Sequence, residues 1–253
     1  MRTETFSTPG KVKLEISIPS GDVDLQTNGG DTTTVELEVS GKDADEHEQD
    51  TEIELRQRGD RYEVVIAAGK NRGFSFIRGR SYRLRVTSPA ETEVEAKLAS
   101  ADVDGRGRFG DVRIQTASGD IELEHVEGHV RIDAASGDVH IDYASTLKIN
   151  SASGDIEVDD LGRGGDVNTA SGDVSLKSVR EGALKLNSAS GDIEVGIAKG
   201  SRLLVEAQSL SGDTSSDIDV ESDTPIASDE GPLDELTART LSGDISVRRA
   251  RAT

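Results

Sequence analysis

Apolar and polar residues alternate along most of the chain, and the alternation is broken at regular places by Ser-Gly-Asp. The tripeptide occurs eight times, beginning at Ser20, Ser118, Ser136, Ser153, Ser171, Ser190, Ser211 and Ser242, and a degenerate Ser100-Ala101-Asp102 stands one period before Ser118. From Ser100 the steps are 18, 18, 17, 18, 19, 21 and 31 residues. Apolar residues stand six and four positions before most of the serines, as in Val112/Ile114, Val130/Ile132, Leu147/Ile149 and Leu184/Leu186, with a small residue two before. They usually return at the first and third positions after the aspartate, as in Ile121/Leu123, Val139/Ile141, Ile156/Val158, Val174/Leu176, Ile193/Val195 and Ile245/Val247. Alternation with period two on both sides of a turn predicts two strands, each burying one face.

The tripeptide is then the corner between the strands. Glycine permits a positive φ there, and the serine and aspartate side chains bond to nearby backbone. The pairs Gly119/Asp120, Gly137/Asp138, Gly154/Asp155, Gly172/Asp173, Gly191/Asp192, Gly212/Asp213 and Gly243/Asp244 are therefore read as structural turns, each aspartate serving its own turn. Second bends are expected near Glu127-Gly128, Ala144-Ser145, Gly162 to Gly164 and Glu181-Gly182. A coil of about 18 residues cannot bury its own apolar face, whereas stacked coils line up a continuous core. The fold class is thus all-β: a parallel β-solenoid with six or seven regular coils, fronted by an irregular, partly antiparallel N-terminal β cap. The expected organisation is a cap over 1–90 continuous with the stack, coils over 91–216, an acidic loop over 217–235, and a last coil with a basic tail over 236–253.

Composition agrees with thin layers. Apolar residues make up 33% of the chain, with no Trp, four Phe and three Tyr, so the core is built from Val, Ile, Leu and Ala. The chain has no cysteine, which removes disulfides, zinc-thiolate sites and cysteine nucleophiles. Its net charge of −20 disfavours nucleic acid and anionic lipid as partners of the whole molecule. The start lacks the apolar stretch of a signal peptide and no segment approaches ~18 consecutive apolar residues, so a cytoplasmic protein without membrane insertion is expected.

Candidate chemistry lies on the outward columns. Arg113, Arg131, Lys148, Asp166 and Lys185 share the position five before the serine, and Gln115, Asp133, Asn150, Asn168 and Asn187 the position three before. Glu122, His140, Glu157, Ser175 and Glu194 follow the corner, giving one face a basic and amide stripe and the other an acidic one. The amides either stack on one another as a ladder or offer a flat recognition surface. A basic island from Arg56 to Arg85 holds nine basic residues against two acidic, and within it Lys70, Arg72, Phe74, Phe76, Arg78 and Arg80 mark a hairpin loop with exposed aromatics. That island either docks an acidic partner, a neighbouring subunit or an anionic surface, or balances the acidic segment Asp43 to Glu54 inside the fold. Arg58-Gly59-Asp60 reads as a turn between strands. Stacked corner aspartates could bridge calcium between coils, but the Gly-Gly-x-Gly-x-Asp signature of calcium-binding rolls is absent. Alignment of the coils sets His140 over Glu122, so no metal cluster is implied, and neither a cofactor nor a catalytic residue is expected.

The units 151–158, 188–195 and 240–247, each reading [Ser/Thr]-[Ala/Leu]-Ser-Gly-Asp-Ile-x-Val, resemble the bacterial putative-adhesin family, a β-strand-repeat domain of unknown function. The resemblance covers nearly the whole chain and implies a β-helical fold. The expected function is a non-catalytic β-solenoid scaffold or protein-interaction module, with an unknown protein partner or self-association. Two other readings stand beside it, a carbohydrate-binding or carbohydrate-active β-helix and a calcium-stabilised repeat protein.

Overall fold

The structure, a computed structural model, describes residues 1–41, 43–68, 80–198, 202–217 and 233–250. Alternation becomes strand almost everywhere. The N-terminal part forms β1 (Arg2–Ser7), β2 (Lys11–Asn28), β3 (Thr32–Gly41), a one-helix break α1 (Ala44–Asp50), β4 (Glu52–Arg58), β5 (Arg61–Ala67) and β6 (Arg80–Pro89). The repeats form β7 (Thr92–Thr116), β8 (Ile121–Ala134), β9 (Val139–Ser151), β10 (Ile156–Leu161), β11 (Gly165–Ser171), β12 (Val174–Val179), β13 (Leu184–Ser190) and β14 (Ile193–Ile197). The end of the chain forms β15 (Arg202–Ser211), β16 (Thr214–Ser216), β17 (Leu233–Ser242) and β18 (Ile245–Arg249).

Each coil has a leading arm before the corner and a trailing arm after it, and equivalent arms pair in parallel. Val130, Ile132 and Ala134 of β8 face Leu147, Ile149 and Ser151 of β9, while Val139 and Ile141 face Ile156 and Val158 of β10. The inward residues of the two arms meet in one core, where Ile114, Ile132, Ile141, Ile149 and Val158 are fully buried. A third inward column, Val126, Ala144, Leu161 and Val179, closes the far end of the trailing arm. Burial of this kind contributes roughly 1.5–3 kcal/mol per large aliphatic side chain, which lets a chain poor in aromatics fold.

The corner is where stacking is tightest. Gly137 has φ 114°, and a Cβ on it would stand 2.1 Å from the carbonyl oxygen of Gly119 in the coil below. Glycine is therefore required twice over, by the turn and by its neighbour. The small residue two before the serine is buried at Thr116, Ser151, Thr169, Ser188 and Thr240 and half-buried at Ala134 and Ser209, and Thr116, Ser151 and Thr169 donate their hydroxyls to the carbonyls of Ser118, Ser153 and Ser171 at 2.8, 3.1 and 3.1 Å. The aspartates correct the expectation that each serves its own turn. The Oδ1 of Asp102 accepts the backbone N–H of Asp120 at 3.0 Å, Asp120 that of Asp138 at 2.9 Å, and Asp138 that of Asp155 at 2.9 Å. The ladder continues through Asp173 and Asp192, so each carboxylate fixes the next coil rather than its own.

The two ends depart from the regular coil. At the front, β2 already carries a corner, and Ser20, Gly21 and Asp22 pair with Ser100, Ala101 and Asp102. On its other side β2 pairs in parallel with β5 and β6. Beyond these lies a reversed layer: β3 runs antiparallel to β6, β4 antiparallel to β5, and α1 joins them where other coils have their corner. β1 covers β3, again antiparallel. At the back, chain order and stacking order part company. β13 and β14 pair with β17 and β18, and these in turn pair with β15 and β16. The last coil in sequence is thus slotted beneath the coil that precedes it, and the terminal layer is β15 with β16. Leu233, placed by sequence in the acidic loop, begins β17.

Candidate functional site

Parallel registration turns each outward position into a column along the solenoid axis, with neighbours about 4.8 Å apart. Arg113, Arg131, Lys148, Asp166 and Lys185 form one such column on the leading-arm face, as their spacing implies. It continues as Glu95 and Glu15 toward the front and as Thr237 and Glu206 toward the back. The neighbouring column is a hydrogen-bonded ladder. Asn150 donates its Nδ2 to Asp133 at 2.7 Å, Asn168 to Asn150 at 3.2 Å, and Asn187 to Asn168 at 2.9 Å. Burial raises the Asp133 carboxyl, but the bonds from Asn150 and Arg131 outweigh it and hold the group below its usual range. The asparagines are therefore occupied within the ladder, while beside them Arg113 and Lys185 are exposed and Arg131 and Lys148 half-buried.

Toward the front this face deepens into a groove of about 440 Å³. Lys13, Arg56, Arg58, Arg61, Arg113 and Arg131 line it with Glu63, Glu93, Glu95, Asp111 and His129. Most of the carboxylates are engaged. Lys13 lies 2.8 Å from both Glu15 and Glu95, Arg61 contacts Glu93, and Asp111 accepts the backbone N–H of His129 at 2.8 Å. Burial disfavours the Lys13 ammonium, yet its bonds to Glu15 and Glu95 raise its pKa; the bond from Lys13 in turn lowers Glu15 and Glu95. Arg131 uses its Nε on Asp133 at 3.0 Å and is half-buried along the groove wall. The arrangement is a strip with more positive than negative groups on a protein of net charge −20.

The basic island is spread over the fold rather than gathered in one loop. Arg56 lies 3.5 Å from Glu52 and from Glu54, which fits the balancing role, but Arg83 faces Asp22 and Glu38 at 3.6 and 3.7 Å, and Arg85 faces Asp24 at 3.3 Å. Their partners are strand carboxylates of the next layers. Arg80 begins β6 and is likewise engaged. Arg58, Gly59 and Asp60 make the turn between β4 and β5, with Gly59 at φ 66°. Lys70, Arg72, Phe74, Phe76 and Arg78 lie outside the described residues.

On the trailing-arm face the acidic column forms with His140 between Glu122 and Glu157, as the coil alignment implies. The structure adds a grouping absent from that alignment: one ligand atom each of His140, Asp142 and Asp159 lie within 4.8 Å of one another. Lys177 takes the positive charge there, with its Nζ 2.8 Å from Asp159 Oδ1 and in contact with Glu157. Those bonds, first to Asp159 and then to Glu157, raise the lysine's pKa. Nearby, the His125 and Tyr143 rings stack at 4.3 Å with Arg180 5.8 Å from the Tyr143 ring centre. Lys13, Glu95 and His129 were missed by sequence reasoning, although the count of seven residues back from the corner puts Lys13 and His129 in one outward column.

Residues 12–250 match the family described as Toastrack DUF4097. Among solved structures, the chain is similar to a Bacteroides fragilis protein described as a putative adhesin, at 10% identity and TM-score 0.53, over 97% of this chain and 96% of that one. It is also similar to a Parabacteroides distasonis putative adhesin at 12% identity and TM-score 0.52, with coverage of 97% and 96%. At these identities the likeness speaks to the fold alone. No curated protein sequence matches the chain.

Proposed function

The chain belongs to the Toastrack DUF4097 family, and we propose that it is a non-catalytic interaction module whose docking surface is the leading-arm face, from the front groove along the Arg113, Arg131, Lys148 and Lys185 column. The observation that carries this reading is the local excess of positive side chains on so acidic a protein. A strip of this kind selects an acidic partner. The backbone beneath it is a stacked sheet, so the charges are held in fixed positions and little ordering is needed on binding. The amide ladder beside the column spends its hydrogen bonds internally and serves as a rigid flank.

Reversing Arg58, Arg113 and Arg131 to glutamate, with Glu122→Lys and Glu194→Lys as a control change on the opposite face, tests the assignment. Proximity labelling in the native cell, followed by binding of the recovered partner to purified protein, is expected to show at least about a tenfold loss for the first set and none for the second. The wild-type affinity should fall as salt rises. Equal loss for both sets, or for neither, removes the leading-arm face from the function.

A further inference from the structure

β15 is the terminal strand of the leading-arm sheet, and it pairs with β17 along one edge only among the described residues. Its register on β17 is unbroken from Arg202 to Ser209, without a bulge. Natural edge strands are usually blunted by lysine, proline, a bulge or extreme shortness. None of these occurs between Leu204 and Ser211, where the one charged side chain, Glu206, is paired with Arg239 of the strand beneath, and the strand is ten residues long. Instead it presents two of the most exposed large apolar side chains among the described residues, Leu204 at 57% and Leu210 at 82%.

We propose that this edge is a dimerisation site that takes a second copy of the same strand, antiparallel, about a two-fold axis through Ala207. The side-chain order of β15 is self-complementary about that residue. An antiparallel partner centred there sets Leu204 against the partner's Leu210, Glu206 against the partner's Gln208, and Ala207 against the partner's Ala207. Residues directly opposite share a face, so the leucines meet on the outer surface, where both are exposed, while inside Ala207 meets the partner's Ala207 and Val205 the partner's Ser209, all half-buried. Each Glu206 gains an amide to bond, and its own Arg239, 3.0 Å away, stays as its ion-pair partner. A self-complementary patch of this sort closes as a two-fold dimer rather than an open filament. The front of the molecule already uses the same geometry within one chain, where β3 and β4 add antiparallel to β6 and β5.

Sedimentation of the whole chain through the micromolar range is expected to show a monomer–dimer equilibrium. Leu204→Lys combined with Leu210→Lys places like charges opposite one another and should weaken it by at least about tenfold. Leu204→Glu combined with Leu210→Lys places opposite charges together and should keep the dimer. Both leucines are exposed, so circular dichroism of the monomeric variant should be unchanged. Because the chain has no cysteine, Ala207→Cys should cross-link to itself through a short thiol linker, while Ala117→Cys, exposed at a mid-stack corner, should not. A monomeric wild type, a dimer that survives both lysines, loss of the dimer in the Glu/Lys pair, or equal cross-linking at 117 and 207 overturns the proposal.

Discussion

The two ends of this solenoid solve the same problem in opposite ways. A stack of coils leaves an uncovered core and an unpaired backbone ladder at each terminus. At the front the chain turns back on itself, so that β3, α1 and β4 lie across β5 and β6 in reverse, and Leu37, Val35 and Leu84 are fully buried beneath β1. At the back the terminal layer keeps the parallel direction and has no described layer over it. Its inward positions after the corner are Thr214 and Ser216, both exposed, where the coil below has Ile245 and Val247, both buried. Reversal gives closure by burial, whereas polar substitution makes an end tolerable to water on the trailing arm and leaves the leading arm open.

The largest expected effect follows from that contrast. Leu37→Ala removes a fully buried side chain from the reversed layer and should cost about 2–5 kcal/mol of unfolding free energy, while Val205→Ala, half-buried in the terminal layer, should cost about 1 kcal/mol or less. Urea unfolding of both variants checks the difference. Equal losses would mean that the back is covered as thoroughly as the front.

The corner ladder provides a smaller and sharper comparison. Asp192 Oδ1 accepts the N–H of Asp244 at 2.8 Å, and Asp244 Oδ1 accepts that of Asp213 at 2.8 Å. Asp213 lies in the terminal layer, and among the described residues its carboxylate has no further coil to hold. Asp192→Ala should therefore destabilise by about 1–2 kcal/mol and Asp213→Ala by no more than about 0.5 kcal/mol. If the two variants melt alike, the carboxylates are not acting between coils.

Sequence revealed the regular middle because one physical constraint, a buried face of period two broken by a tight turn, repeats there in every coil. Gly137 is legible as a corner from composition alone, and the leading-arm column from Arg113 to Lys185 follows from counting back from it. What the period does not encode is which coil a side chain serves, and the aspartates, which it assigns to their own turns, bond the next coil instead. Nor does it fix stacking order: Val205-x-Ala207-x-Ser209 and Leu236-x-Ala238-x-Thr240 fit the same slot equally well. The readable clue was on the other arm, where Thr214 and Ser216 depart from the apolar pattern in the way a terminal layer should. The groove joins β4 and β5 to coils many residues later, and only the antiparallel front layer brings Arg56 and Arg58 beside Lys13. That reversal depends on α1, whose residues Ala44–Asp50 are mostly acidic and none of which is buried; such a segment carries no apolar period to announce it.

The smallest expected effect separates the ends by pH. Among the described residues, the carboxylates held below their usual range, Glu15, Glu95, Glu127 and Asp133, lie in β2, β7 and β8, ahead of the back of the stack. A carboxyl lowered in the folded state contributes stability that is complete above its unfolded pKa, about 4, and disappears as pH falls through the folded value. Lys13 is raised, so its contribution is complete below its unfolded pKa and is lost as pH rises through the folded one, at strongly alkaline pH. Hydrogen exchange, corrected for intrinsic rates, should therefore show protection in β2 and β7 dropping below about pH 4, while β17 and β18 change less. Lys13→Met should flatten both the acid and the alkaline limbs in β2 and β7, because Glu15 and Glu95 lose the partner that lowers them. If the acid-sensitive amides lie instead in β15 to β18, the charged groove is not what distinguishes the closed front from the open back.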